Sequence, residues 1–342
     1  MDKYTNISIS LENIREIIAH EPKSLLLTDE FDKILFSKAD SVRRSVYSDA
    51  VYLRGLIEFT NHCKNNCYYC GIRRGNTHLE RFRLNKEEIL NCCRRGYDLG
   101  LRTFVLQGGE DDCFDDKTIC DIVYSIREQF NDCAVTLSIG EKSYESYKDF
   151  FNAGASRYLL RHETADSLHY GKLHPKCMSL ENRKKCLFNL KEIGYQTGSG
   201  FMVGSPFQTT DNIASDLNFL NELQPEMIGI GPYITHQDTP FKDFPNGSVM
   251  LTLRLIAILR LMFPNALIPA TTALATLSLA GREKALKAGA NVVMPNISPE
   301  HSRNLYNLYE NKKSADTELN ILKESIKTAG YRVAIDRGDA KK

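Results

Sequence analysis

Leu53-Arg-Gly-Leu-Ile-Glu-Phe59 runs through Thr60, Asn61 and His62 into Cys63-Lys-Asn-Asn-Cys67-Tyr-Tyr-Cys70-Gly71. The first part is a short apolar run of strand length, and the second is a polar loop that holds three thiols. Working outward from this junction, the same alternation recurs. Further strand-like runs lie at 102–107, 134–139, 157–161, 197–203, 227–230, 266–271 and 291–294, which with 53–59 makes eight. Helical patterns fill the intervals. Asn85-Lys-Glu-Glu88 is a capped start, followed by apolar Ile89 and Leu90. Leu251, Leu255, Ile258, Leu259 and Met262 share one helical face. Gly154-Ala155 and Gly289-Ala290 suit helix ends that turn into buried strands.

Alternating β and α units predict parallel strands joined by right-handed crossovers, an α/β fold. Eight units favour a closed (βα)8 barrel of the TIM type, with an open doubly wound sheet as the alternative. Leu11, Ile14, Ile17 and Ile18, and then Phe31, Ile34 and Leu35, predict helices packed on that barrel. The expected organisation is N-terminal helices over 1–48, the barrel over 49–310 and a C-terminal extension over 311–342. Chemistry in such barrels sits at the C-terminal ends of the strands.

The chain has 342 residues, of which 42% are hydrophobic, 25% charged and 9% aromatic, a composition that excludes disorder. A formal charge of +1 offers no electrostatic case for nucleic acid or an anionic membrane as partner. The most apolar window, 251–263, is interrupted by Arg254 and Arg260 and is shorter than the roughly 20 residues a span requires. Ten cysteines are present and none follows Cys186. The polar stretch 1–10 lacks a secretory pattern, so reduced thiols and a cytoplasmic location are expected.

Cys63, Cys67 and Cys70 fall after the first strand, at the catalytic end. Thiolates are soft ligands for iron–sulfur clusters or zinc. Structural zinc sites usually take four protein ligands, and no second cysteine pair is nearby. A cluster with three thiolates would keep one iron open to a substrate or cofactor. Zinc completed by His62 or His78, and three incidental buried thiols, are the alternatives.

C-x-x-x-C-x-x-C after the first strand of a parallel barrel, with aromatic Tyr69 before its last cysteine, resembles the radical S-adenosylmethionine (SAM) superfamily. The resemblance implies one 4Fe-4S cluster on Cys63, Cys67 and Cys70. Its open iron would chelate the SAM amino and carboxylate groups, and its electron would cleave the sulfonium to a 5′-deoxyadenosyl radical. Gly108-Gly109-Glu110, Gly204-Ser-Pro206 and Gly229-Ile-Gly231 also match superfamily patterns, with Gly109 and Glu110 on the loop used for the SAM amino group.

A closer resemblance is to the HydE family, the radical SAM maturases of FeFe-hydrogenase, within the biotin synthase-like group. It is carried by Ile57-Glu-Phe, Cys63 to Arg74, Val105-Leu-Gln-Gly-Gly-Glu-Asp111 and Thr136-Leu-Ser-Ile-Gly-Glu141. Arg157-Tyr-Leu-Leu-Arg-His-Glu-Thr164, Glu181-Asn-Arg183, Gly229-Ile-Gly-Pro232 and His236-Gln-Asp-Thr-Pro240 continue it. Ile268-Pro-Ala-Thr-Thr-Ala273, Val293-Met-Pro-Asn296 and Leu305-Tyr-Asn-Leu-Tyr309 complete it. It covers about residues 50 to 310.

The resemblance implies that Glu163 accepts the SAM ribose hydroxyls. Arg183 would pair with the SAM carboxylate through its planar fork, and Ser138 would add a hydroxyl contact. Tyr69 would join this cofactor site. Gln107, Thr136 and Arg157 would line a polar substrate and anion cavity, with Met294 and Tyr309 closing it. Thr271, Thr272 and Tyr306 are the catalytic candidates, Tyr306 as a radical or proton partner or a packing phenol. Threonines are also common in strands for reasons of β propensity. His162 and His236 read as structural.

The implied substrate is an organometallic iron–cysteine complex, supplied by the maturase HydG for assembly of the H-cluster, with HydF and an electron donor protein as further partners. Many family members carry a second cysteine trio near 310–325. This chain reads Glu310-Asn-Lys-Lys-Ser-Ala-Asp there, so no C-terminal accessory cluster is expected. The nearest rival is a paralogue such as a methylornithine synthase-like mutase, whose pattern lacks the Gly71-Ile-Arg-Arg and Arg-His-Glu-Thr segments. A biotin synthase-like sulfur inserter would need thiolates that the second half of the chain lacks. A rival of another class is a non-catalytic scaffold for an iron fragment.

Overall fold

The computed structural model describes residues 30–309 and 319–341. The run expected over 53–59 is two strands, β1 (Ala50–Leu53) and β2 (Gly55–Thr60). They part at Arg54 because they serve different ladders. β2 is followed by β3 (Thr103–Gly108), β4 (Ala134–Ser138), β5 (Ala155–Leu159) and β6 (Gln196–Ser199). Then come β7 (Met202–Val203), β8 (Met227–Ile228), β9 (Gly231–Pro232), β10 (Val292–Val293) and β11 (Arg332–Ala334).

β2, β3, β4, β5, β6 and β8 pair in that order, all parallel. β2 is buried along its length, as a strand covered on both faces must be. The expected strand over 266–271 appears as single parallel bridges, Met227 to Leu267 and Pro269 to Val292. Pro269 has no N–H to donate, which interrupts a regular ladder there. Leu56 bridges Asn296, its N–H donates to the Pro295 carbonyl at 2.9 Å, and the Ile297 N–H donates back to the Leu56 carbonyl at 2.8 Å. The last strand thus returns to the first, and the chain is a closed (βα)8 barrel of the α/β class.

The run expected over 197–203 breaks into β6 and β7 at Gly200. A Cβ on Gly200 would lie 1.9 Å from the Gly229 carbonyl oxygen, an approach that only glycine permits. β7 and β9 then pair beyond the break. The helix Lys86–Asp98 begins as its sequence predicts: Asn85 accepts from the Glu88 N–H and Glu88 accepts from the Asn85 N–H. Gly154 and Gly289 adopt φ of 114° and 108° between helix and strand.

The helix Val249–Met262 is buried on more than the face its pattern predicts. Leu253, Ile256 and Ala257 are also buried, because the helix Glu30–Tyr47 lies over it. The two helices are joined by Asp32 and Arg254, both buried, with nitrogen–oxygen distances of 2.6 and 3.0 Å. Phe31, Ile34 and Leu35 fall on the helix Glu30–Tyr47 as expected. Leu11, Ile14, Ile17 and Ile18 lie outside the described residues.

β1 is flanked by β10 and β11 in a small parallel sheet at the N-terminal end of the barrel. From β11 the chain crosses that end. The Arg337 carbonyl accepts from Thr103 Oγ1 at 2.8 Å and from Arg157 at 2.7 Å, and the Gly338 carbonyl accepts from Arg54 at 3.3 Å. The stretch 335–341 is therefore the floor of the barrel.

Candidate active site

Each strand delivers its loop to the opposite, C-terminal end. The loop after β2 carries Cys63, Cys67 and Cys70, all free thiols and partly exposed. Its backbone is pinned from several sides. Lys64 N–H donates to the Glu110 carbonyl at 2.8 Å, Tyr68 N–H to Leu173 at 2.9 Å and Gly71 N–H to Leu308 at 2.9 Å. A Cβ on Gly109 would lie 2.2 Å from the His62 carbonyl oxygen and 2.6 Å from Cys63 Cβ, so the loop after β3 packs directly on the cysteine loop.

Burial pushes all three thiols up, Cys67 to about 12, and neighbouring thiolates of the trio raise Cys67 and Cys70 further. They are therefore protonated until a cation takes them. Three soft donors in no disulfide, on one pinned loop, fit an iron–sulfur cluster. Zinc finds less support, because His78, a candidate fourth ligand, pairs instead with Asp238 at 2.8 Å.

Around this loop stand the predicted SAM contacts. Glu110 is buried, and burial raises its pKa; its carboxylate accepts from the Glu141 N–H at 3.1 Å. Arg183 is buried with Nε 2.6 Å from Glu141 Oε1. Burial works against its charge, but the Glu141 carboxylate and neighbouring groups more than offset this and its pKa is raised. Glu163 follows β5 with φ of 66°, an uncommon backbone for a residue with a side chain. Its N–H donates to the Gly200 carbonyl, and its carboxylate lies 3.1 Å from Arg161. Tyr69 OH is 3.2 Å from His174 Nε2, and Ser138 ends β4 half-buried, paired with Gln107.

Inside the barrel, Gln107 donates to the Tyr306 hydroxyl at 3.4 Å. Tyr306 is buried, which raises its pKa. The hydroxyls of Thr136 and Thr271 are each buried without a hydrogen-bond partner among the described residues, and a polar guest would satisfy them. Thr272 opens the helix Thr272–Leu277, and Met294 and Tyr309 are half-buried.

Arg157 departs from expectation. Its guanidinium turns to the floor, where it bonds Thr103 at 3.0 Å and Asp339 at 2.7 Å, instead of facing the other polar residues of the cavity. Arg157 stands in the middle of β5, and its long side chain reaches the floor because the Arg337 carbonyl and the Asp339 carboxylate supply the acceptor and the counter-charge there. His162 is structural, as expected: it is buried 2.9 Å from Ser199 Oγ and 3.3 Å from Asp216.

The profile of the radical SAM superfamily matches residues 57–220. The [FeFe] hydrogenase maturase subunit HydE of Thermotoga maritima is 46% identical over 302 residues, which cover 88% of this chain and 85% of that one. The chain belongs to the HydE family. It is a radical SAM enzyme of the hydrogenase maturase type, and the superfamily's 4Fe-4S cluster and SAM are its cofactors. The 3-methylornithine synthase of Methanosarcina barkeri is 28% identical over 303 residues, 88% of this chain and 83% of that one. Among solved structures, methylornithine synthase (PylB) has a TM-score of 0.83 at 26% identity, covering 95% of this chain and 94% of that one. HydG, a maturase of the [FeFe]-hydrogenase, has a TM-score of 0.80 at 19% identity, covering 96% and 73%, and shares the fold. No described helix is long and apolar enough to cross a membrane.

In this HydE-family site several neighbours carried no sequence signal. Glu141 sits in a quoted motif, but its grip on Arg183 is visible only in three dimensions. Met178 Sδ lies 3.7 Å from Cys67 Sγ, and His174 stacks on Tyr170 at 3.9 Å. Their spacing along the chain matches no ligand pattern.

Proposed function

We propose that this HydE-family enzyme cleaves SAM reductively and acts on an organometallic iron–cysteine substrate during assembly of the FeFe-hydrogenase H-cluster. Cys63, Cys67 and Cys70 would hold the 4Fe-4S cluster, which supplies the electron for cleavage of SAM to a 5′-deoxyadenosyl radical. Glu163 would bind the ribose hydroxyls and Arg183 the methionyl carboxylate, exchanging Glu141 for it. Gly109 and Glu110 would meet the amino group, Ser138 would add a hydroxyl, and Tyr69 would border the cofactor. Gln107, Thr136, Thr271, Thr272, Met294, Tyr306 and Tyr309 would line the substrate cavity, which keeps water from a reactive carbon centre. Arg157 would act on that cavity from its floor through its charge.

The observation that carries the reading is the trio of free thiols on the pinned loop after β2, in a chain 46% identical to HydE. The reading includes HydG as the source of substrate, HydF as a further partner, an electron donor protein and a cytoplasmic location. It includes a single cluster, because no cysteine follows Cys186. Of the stretch 310–325, where an accessory trio would stand, residues 310–318 lie outside the described residues. Anaerobic reconstitution with iron and sulfide, reduction and addition of SAM should yield 5′-deoxyadenosine. A protein with a proven 4Fe-4S cluster that leaves SAM intact refutes the enzyme.

A further inference from the structure

Beside the cysteine loop the surface presents apolar side chains that the barrel does not need. Phe207 is 48% exposed and holds φ of 65°, an outlier for a bulky residue. Strain of this kind persists where the surroundings over-determine it and tends to mark a functional position. Its ring meets those of Phe244 at 5.1 Å and Phe241 at 6.0 Å, and Phe241 meets Tyr68 at 6.1 Å. Tyr68 adjoins Cys67 in the chain. A line of aromatic contacts thus runs from an exposed ring to the loop that carries the thiols. Leu168, 81% exposed, adds apolar surface on the helix Ser167–Leu173, whose last carbonyl bonds Tyr68.

The charge around this line is mainly positive. The segments 66–76 and 167–178 contain Arg73, Arg74, Lys172 and Lys176 and no Asp or Glu. Lys172 stands over the Phe207 ring at 5.2 Å and Arg73 over the Tyr68 ring at 5.9 Å. Arg74, Lys172 and Lys176 are exposed. On the third segment, 241–244, Asp243 stands beside Lys242. Exposed aromatic surface beside an excess of cations, Arg73, Arg74, Lys172, Lys176 and Lys242 against Asp243, suits a protein interface whose charge favours an acidic partner.

We propose that this surface docks an acidic one-electron carrier protein, which reduces the cluster through the Cys63–Cys70 loop. The inference rests on the cluster assignment under Proposed function. In the step, one electron leaves the carrier's reduced centre and enters the cluster, so the carrier is oxidised and the cluster reduced by one electron each, with no atom transferred.

The test uses a bacterial flavodoxin as the acidic carrier, with Lys172→Glu/Lys176→Glu and Phe207→Ser variants of the full chain. Binding is titrated calorimetrically on cluster-free protein at low and high salt. Binding of the wild type should weaken as salt rises, and the charge-reversed variant should bind about tenfold or more weakly. In reconstituted protein, SAM cleavage driven by reduced flavodoxin should fall about tenfold in both variants, while cleavage driven by dithionite stays unchanged. Unaltered binding and unaltered flavodoxin-driven rates overturn the proposal. So do salt-independent binding, equal loss with both reductants, or a surface found to pair two copies of this chain. Absence of cleavage with dithionite in the wild type refutes the enzyme reading instead, and the binding titration still judges the surface.

Discussion

Arg157 and Asp339 meet at 2.7 Å across the floor of the barrel, although 182 positions separate them in the chain. Arg157 is fully buried and Asp339 half-exposed, and Gln196 also donates to the Asp339 carboxylate at 2.6 Å. This contact fastens the C-terminal stretch to β5 and β6.

Replacing Asp339 should therefore loosen the floor. Asp339→Ala leaves a buried guanidinium with carbonyl and hydroxyl partners only, at a cost of about 1–2 kcal/mol after allowing for solvent at the carboxylate. Burial alone would raise the Asp339 carboxyl, but the hydrogen bonds from Arg157 and Gln196 and the guanidinium charge outweigh it and its pKa is lowered. The stabilisation is then fully present above the unfolded carboxyl value near ~4 and is lost as pH falls through the folded value. Urea unfolding of wild type and variant should show curves that differ at neutral pH and converge in acid; a constant difference contradicts the pairing.

The cluster ligands are open to direct measurement. Cys67→Ala should abolish four-iron absorption after reconstitution, whereas Cys113→Ala, at an exposed thiol distant in sequence from the trio, should keep it. Iron and sulfide analysis of the two variants decides the matter, and a full cluster in Cys67→Ala contradicts the ligand set.

Gly109 tests the packing of the second loop on the first. An added methyl would meet the His62 carbonyl and Cys63 Cβ at overlapping distances, and overpacking of this kind costs about 1–3 kcal/mol. Gly109→Ala should lower the iron retained per chain and weaken SAM binding with the barrel still folded. Circular dichroism together with iron assay separates these outcomes, and normal iron and normal binding refute the contact.

Arg183 tests the SAM site. Loss of a buried charge-assisted pair in Arg183→Ala should weaken SAM about 10- to 100-fold. Arg183→Lys should recover only part, because an ammonium cannot present the two-pronged fork. Calorimetric titration of reconstituted protein with SAM measures both, and equal affinity in all three proteins removes Arg183 from the site.

Asp32 and Arg254 bind the N-terminal helix to the barrel. Removing one member of a buried pair strands the other, so Asp32→Ala should destabilise the fold by about 3–5 kcal/mol. A change in unfolding free energy of less than about 1 kcal/mol, from urea denaturation, would show that the pair adds little.

The thiol loop and much of the fold are legible in the sequence itself. The thiol loop is local: Cys63, Cys67 and Cys70 lie within one turn-rich segment after one strand, so spacing alone brings them together. The Asn85 cap and the glycine helix ends are local in the same way. Closure of the barrel was only inferable from the count of strands, since its closing contact joins Leu56 to Asn296. The breaks at Arg54 and Gly200 carry no local signal, because each depends on a neighbour remote in sequence. The family resemblance puts Arg157 in the cavity, at an inward position of its strand. An inward position does not say toward which end of the barrel a long side chain turns.

By itself, the sequence determined the alternation of strands and helices, the donor chemistry on the first loop and the kinship to HydE, because each is written in residues close together or in their order. Tertiary structure alone decided which carboxylate holds Arg183, which carbonyls and acid hold Arg157, and which aromatic rings line up from Phe207 to the cysteine loop. Those contacts join segments brought together only when the barrel closes, where burial and counter-charge select the partner.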